Sequence, residues 1–143
     1  MRSRFEQVPL SSQTRWIAGG GVGAVIAGAA MVAYFNPSTV KIFPVCPLFS
    51  LTGLACPGCG LTRGFHALFH GDVAAALDYN ALIPIFAVVL GFFFISMMLV
   101  AVRGRGFPKR AYSPKALWAF FALLMVFGVV RNLPFYPFSV LYP

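Results

Sequence analysis

The chain reads as an all-α polytopic membrane protein, and three observations predict it. Its 143 residues are 59% hydrophobic and only 10% charged, with a mean hydropathy of +0.83, whereas charged residues make up about a quarter of a soluble domain. Uncharged apolar runs of helical length recur along it, with no strand pattern between them. Its formal charge of +8 lies mainly in two short basic segments. A chain of this length is one domain, and its core alone cannot hide so much apolar surface from water. Three spans are therefore expected, at residues 16–35, 81–102 and 116–134, with a cysteine loop over 36–80 and a basic loop over 103–115.

The first fifteen residues are polar, with Arg2, Arg4 and Arg15 set against Glu6. Trp16 to Phe35 then carries no charge and matches the thickness of the hydrocarbon layer. A basic start before an apolar run also fits a signal peptide, but this run is longer than a usual signal core. Asn36-Pro-Ser-Thr39 after it offers no small-residue cleavage site. A retained first span is the expectation. Along it, Gly19, Gly23 and Ala27 fall four apart, as do Gly20, Ala24 and Gly28. Such small-residue faces let a second helix approach closely in lipid, where packing drives association.

Asn36-Pro37 ends that helix, and Pro44 and Pro47 are expected to keep the next stretch irregular. Val73 to Asn80 looks like a short helix with Asp72 as N-cap and Gly71 closing the helix before it. Ala81 to Val102 is the second span, and Pro84 costs little in a first turn whose N–H groups lack intrahelical partners. Arg103, Arg105, Lys109, Arg110 and Lys115 make a basic loop free of acidic residues. The third run, Ala116 to Val130, is short unless it continues past a snorkelling Arg131 to Pro134, with Trp118 marking an interface. The aromatic, proline-rich tail from Asn132 to Pro143 is expected in the headgroup layer or against a partner.

Charge then orients the chain. Three spans put both basic segments on one side, which the positive-inside rule makes cytoplasmic. The loop over 36–80, where Lys41 and Arg63 are balanced by Asp72 and Asp78, faces outward with the carboxyl terminus. Membrane lipids are the expected partners. Nucleic acid is not, because the basic segments lack interleaved aromatics.

Chemistry has one place to sit. All three cysteines and both histidines lie between Cys46 and Asp72. Cys56-Pro-Gly-Cys59 opens an amphipathic helix expected over about 59–70. Cys59, Arg63, His66 and His70 share one face, and Leu61, Phe65, Leu68 and Phe69 the other. Too short to span, it is expected to lie in the interface or to dip in as a re-entrant hairpin with Phe49–Ala55 as the inward arm.

Three readings of that face stand side by side. In the first, Cys46 bridges to Cys56 or Cys59 in an oxidising compartment, and the histidines bond backbone groups at the helix end. In the second, Cys46, Cys56, Cys59, His66 and His70 supply ligands for zinc or another metal, with a suitable Cys-x2-Cys spacing. Against this, Cys46 lies on the far side of an apolar arm, and a second Cys-x2-Cys is missing. Covalent c-type haem attachment wants a histidine after the second cysteine, and Gly60 follows Cys59. In the third, Cys56 near a helix N-terminus and Cys59 beside Arg63 exchange disulfides, without the βαβ frame of thioredoxin-like motifs. Arg63 itself has three candidate contacts: a lipid phosphate, a partner carboxylate, or Asp72 or Asp78.

Cys46-Pro, the run Leu51 to Arg63, His66, His70-Gly-Asp72 and Asn80 together resemble an uncharacterised family of small bacterial membrane proteins, the domain of unknown function 2752. The likeness covers roughly residues 37–100, and the long Cys-Pro-Gly-Cys-Gly-x-Thr-Arg signature is specific. It implies a short polytopic protein of the bacterial inner membrane with no assigned activity. Asn80-Ala81 departs from the Asn-Pro often found in the family. With three acidic residues and no paired carboxylates, phosphate loop, Ser–His–Asp set or His-Glu-x-x-His, hydrolysis and phosphoryl transfer have little to work with. The favoured expectation is a non-enzymatic accessory subunit of a larger membrane complex, of the respiratory or photosynthetic kind, needing no cofactor. Its contacts would run through Arg63, Gly19, Gly20, Gly23 and Gly28. The alternative is a metal-binding or thiol–disulfide redox protein.

Overall fold

The computed structural model describes residues 11–40, 42–43, 45–105, 113–136 and 141. Among these there are six α-helices and no strand: α1 Ser12–Tyr34, α2 Pro47–Thr52, α3 Leu61–Phe69, α4 Val73–Tyr79, α5 Ile83–Arg103 and α6 Pro114–Val130. The expected charges at Arg2, Arg4, Glu6, Lys41, Lys109 and Arg110, the prolines Pro44 and Pro108, and most of the tail beyond Tyr136 lie outside the described residues.

Helix α1 starts where Ser11 accepts the Thr14 N–H and runs 23 residues, about 34 Å at 1.5 Å per residue. Helix α5 runs 21 residues, carries Pro84 in its first turn and ends at Gly104 in the left-handed region, φ 65°. Both are long and apolar enough to cross a membrane, and only 6% of each helix's most apolar stretch is buried. Mid-helix Ile26, Val88 and Val126 are 53%, 73% and 61% exposed. Aliphatic faces this open need an apolar solvent or further protein around them. The third apolar helix, α6, has 17 residues.

Helices α1 and α5 pack antiparallel. Arg15 at the start of α1 donates through Nε to the Ala101 carbonyl and through Nη2 to the Val102 carbonyl, both at 3.3 Å. Nearly two turns on, Gly21 lies against the Met97 methyl so closely that a Cβ would collide with it. The expected small-residue faces behave differently. A Cβ at Gly19, Gly20, Gly23 or Gly28 would meet nothing within 4 Å, so the chain does not bury them itself.

At the other end of this pair, α3 and α4 form a hairpin around Ala67, Ala76 and Ile83. Gly71 turns the chain at φ 81°, and Asp72 caps α4 by accepting the Ala75 N–H at 2.9 Å, as the sequence predicts. Two expectations are corrected here. Pro47 does not keep its stretch irregular; it occupies the first turn of α2, where its missing N–H costs nothing. The amphipathic helix begins at Leu61 rather than Cys59, because Gly60 sits at φ 82° and breaks the helical path.

Candidate metal-thiolate site

The Cys56-Pro57-Gly58-Cys59 segment is a tight turn closed by the Cys59 N–H donating to the Cys56 carbonyl at 3.0 Å. The turn brings its two sulfurs together. The Cys56 N–H donates to Cys59 Sγ at 3.2 Å, and the Cys59 thiol donates to Cys56 Sγ, also at 3.2 Å. Gly60 then lets the chain pass against the Tyr79 carbonyl, where any Cβ would collide. Gly64 repeats the requirement one turn on, where an added Cβ would stand 3.1 Å from the Ala76 carbonyl and 2.7 Å from the Ile83 side chain. Close crossing of α3 and α4 is the physical reason for these two glycines.

Cys46 reaches the turn from α2. This short helix ends at Gly53 in the left-handed region, φ 71°, and the chain doubles back through buried Ala55. The sulfurs of Cys46, Cys56 and Cys59 consequently all lie within 4.8 Å of one another. The apolar arm that seemed to separate Cys46 from the others is what returns it to them. All three thiols are free.

Their electrostatics differ. The Phe49 amide in the first turn of α2, followed by the Cys56 thiol, favours the Cys46 thiolate and lowers its pKa to about 7. Burial raises the Cys59 thiol to about 12, with the neighbouring Cys56 and Cys46 sulfurs adding to the effect. Cys46 therefore carries the cluster's first negative charge, and Cys59 stays protonated unless a cation replaces its proton.

Three side chains from elsewhere grip the turn by its backbone. Arg131 donates through Nη1 to the carbonyls of Cys56 at 2.9 Å and Cys59 at 3.2 Å, and through Nε to Leu141 at 3.2 Å. Asn80 Nδ2 donates to the carbonyls of Pro57 at 2.9 Å and Cys59 at 3.1 Å. Asn132 pairs with Ala55 in both directions, accepting its N–H at 2.8 Å and donating to its carbonyl at 2.9 Å. Arg131 is 0% exposed. It does not snorkel, as its place in an apolar run suggests, because the turn supplies carbonyl acceptors at the end of α6. Its plane also lies over Phe127, 5.1 Å from the ring centroid.

The histidines do not join the thiols. His66 Nδ1–H donates to the Val32 carbonyl at 2.7 Å, satisfying one of the open carbonyls at the end of α1. His70 Nδ1–H donates to the His66 carbonyl at 2.8 Å, and the two rings lie 4.4 Å apart. Both bonds go to helix-end backbone. Arg63 forms no ion pair with Asp72 or Asp78; its guanidinium carbon stands 5.3 Å from the centroid of the Tyr79 ring.

Arg131 and Asn132 escape a reading by motif, since both lie more than 70 residues from the turn they hold, and Asn80 belongs to the motif without its spacing showing which carbonyls it bonds. One signal was present. An Arg-Asn pair ending an uncharged run, in a chain so poor in charge, marks a group with a buried task.

Residues 46–94, from the first thiol to the middle of α5, match the family model described as Protein of unknown function (DUF2752). The chain is similar to that family over this stretch, which contains all three thiols, both histidines and Asn80. No curated protein and no solved structure matches the chain.

Proposed function

We propose that this is a metal-binding membrane protein that holds a thiophilic ion of the zinc class between Cys46, Cys56 and Cys59. The approach of the three sulfurs to within 4.8 Å carries the reading. Tetrahedral zinc with bonds of about 2.3 Å sets its sulfurs about 3.8 Å apart, so shifts of about 1 Å or less would close the site. The backbone grip of Arg131, Asn80 and Asn132 supports it, because outer groups that fix ligand geometry raise affinity. Thiol–disulfide exchange needs two sulfurs. Convergence of the third favours a metal.

The site lies at the end of the α1–α5 pair opposite Arg15, Arg103 and Arg105. With α6 as a third span, the positive-inside rule puts that basic end and the amino terminus in the cytoplasm. The thiol turn and carboxyl terminus then face outward, and the family resemblance supports a bacterial inner membrane. At 17 residues, or about 26 Å, α6 spans only a thin core, which the buried Arg131 at its end accommodates.

Reduced, purified protein is the material for the test. Elemental analysis is expected to find one equivalent of zinc per chain, lost in each of Cys46→Ser, Cys56→Ser and Cys59→Ser. A metal-free protein with three reactive thiols, or with one disulfide that withstands mild reductant, contradicts it.

A second reading rests on a separate observation. Gly19, Gly20, Gly23 and Gly28 line open faces of α1, as expected of a subunit that packs into a larger membrane complex. Native-gel sizing in mild detergent tests it, and a lone monomer with no co-purifying protein counts against it.

A further inference from the structure

A cavity of about 320 Å³ opens beside the thiols, and its lining is chemically divided. Phe43 and Phe49 give it apolar walls, Cys46 and Cys59 present sulfur, and Thr62 and Arg63 supply its polar side. Among the described residues Arg63 donates no hydrogen bond and joins no ion pair. Its guanidinium carbon lies over the Tyr79 ring. A half-buried guanidinium whose donors meet no acceptor is set up for an anion, and its planar fork fits a carboxylate bidentately. Thr62 stands next to it with a hydroxyl that likewise bonds no described residue. This volume is at the small end of ligand pockets. On the three-thiolate reading, the described residues leave a tetrahedral ion's fourth position unfilled, as metal sites do when an outside ligand must enter.

We infer that the cavity binds a small thiol bearing a carboxylate, its sulfur completing the metal's coordination and its carboxylate held by Arg63 and Thr62. In binding, the thiol loses its proton to solvent and one metal–sulfur bond forms; nothing is oxidised. The inference rests on the three-thiolate reading and gives the Thr-Arg of the Cys-Gly-Leu-Thr-Arg run a task that neither packing nor ion pairing accounts for.

The test uses full-length protein loaded with Co(II), whose thiolate charge-transfer absorption reports the number of sulfurs bound. Co(II) uptake is measured first for wild type and for Arg63→Gln. Mercaptoacetate and 2-mercaptoethanol are then titrated into each. Mercaptoacetate is expected to raise the charge-transfer absorption at about tenfold lower concentration than 2-mercaptoethanol in wild type, the scale of one charge-assisted hydrogen bond, and to lose that advantage in Arg63→Gln. Equal potency of the two thiols in wild type, or an advantage that survives Arg63→Gln, overturns the inference and leaves the three-thiolate site standing. Wild-type protein that gives no charge-transfer absorption with Co(II) overturns both.

Discussion

Arg15 and Arg131 make the same kind of bond at opposite ends of the molecule, and the difference between them shows where the fold concentrates its polar stabilisation. Each donates to backbone carbonyls, Arg15 to two at the end of α5 and Arg131 to two in the thiol turn and a third at Leu141. Arg15 reaches Ala101 and Val102 at 3.3 Å from an exposed position, where water offers nearly equivalent partners and the net gain is small. Arg131 reaches Cys56 and Cys59 at 2.9 and 3.2 Å with its side chain fully buried. There, no water replaces a lost donor. The exposed arginine trims a helix junction, whereas the buried one shapes the turn that places two of three thiols.

Truncation should break this contrast most plainly. Arg131→Leu takes one of two donors from each of the Cys56 and Cys59 carbonyls and the donor to Leu141, and is expected to cost about 3 kcal/mol, read as a lower midpoint in detergent unfolding. Asn80→Ala removes donors to Pro57 and Cys59 and should cost about 2 kcal/mol, with metal content falling in parallel if the turn is the ligand frame. Gly60→Ala forces a side chain into the left-handed region and against the Tyr79 carbonyl, for about 2 kcal/mol. Arg15→Ala should change stability by no more than about 0.5 kcal/mol. An Arg15 effect as large as that of Arg131 would remove the distinction.

Thiol reactivity sharpens the comparison within the thiol end. Metal-free Cys46 should react with iodoacetamide at least about a hundredfold faster than Cys59 near neutral pH. Its folded pKa is lowered to about 7, so its rate should climb with pH and level off above that value. Cys59, raised to about 12, should stay slow across the same range. Site-resolved mass spectrometry checks both, and equal rates would show that the electrostatic asymmetry is absent.

The long helices were legible because their signal is local. An uncharged run at residues 16–35 anticipates Ser12–Tyr34 to within four residues, and one at 81–102 anticipates Ile83–Arg103 to within two. The Asp72 cap and Gly71 turn were legible for the same reason, since side chain and partner lie three residues apart. The thiol site was only half visible. Cys56 and Cys59 announce themselves by spacing, but the return of Cys46 depends on α2 ending at Gly53, and the grip of Arg131 and Asn132 spans more than 70 residues. The open glycines of α1 taught the reverse lesson. Their spacing suggests packing, yet only Gly21, outside both expected rows, meets α5.

X-ray absorption at the zinc edge of the reduced, zinc-loaded protein tests the central claim most directly. The account predicts a first shell with three sulfurs at about 2.3 Å and no imidazole scattering, since the clustered ligand atoms are the sulfurs of Cys46, Cys56 and Cys59 and neither histidine joins them. A shell of nitrogen and oxygen alone, or one in which histidine replaces a thiolate, would contradict it.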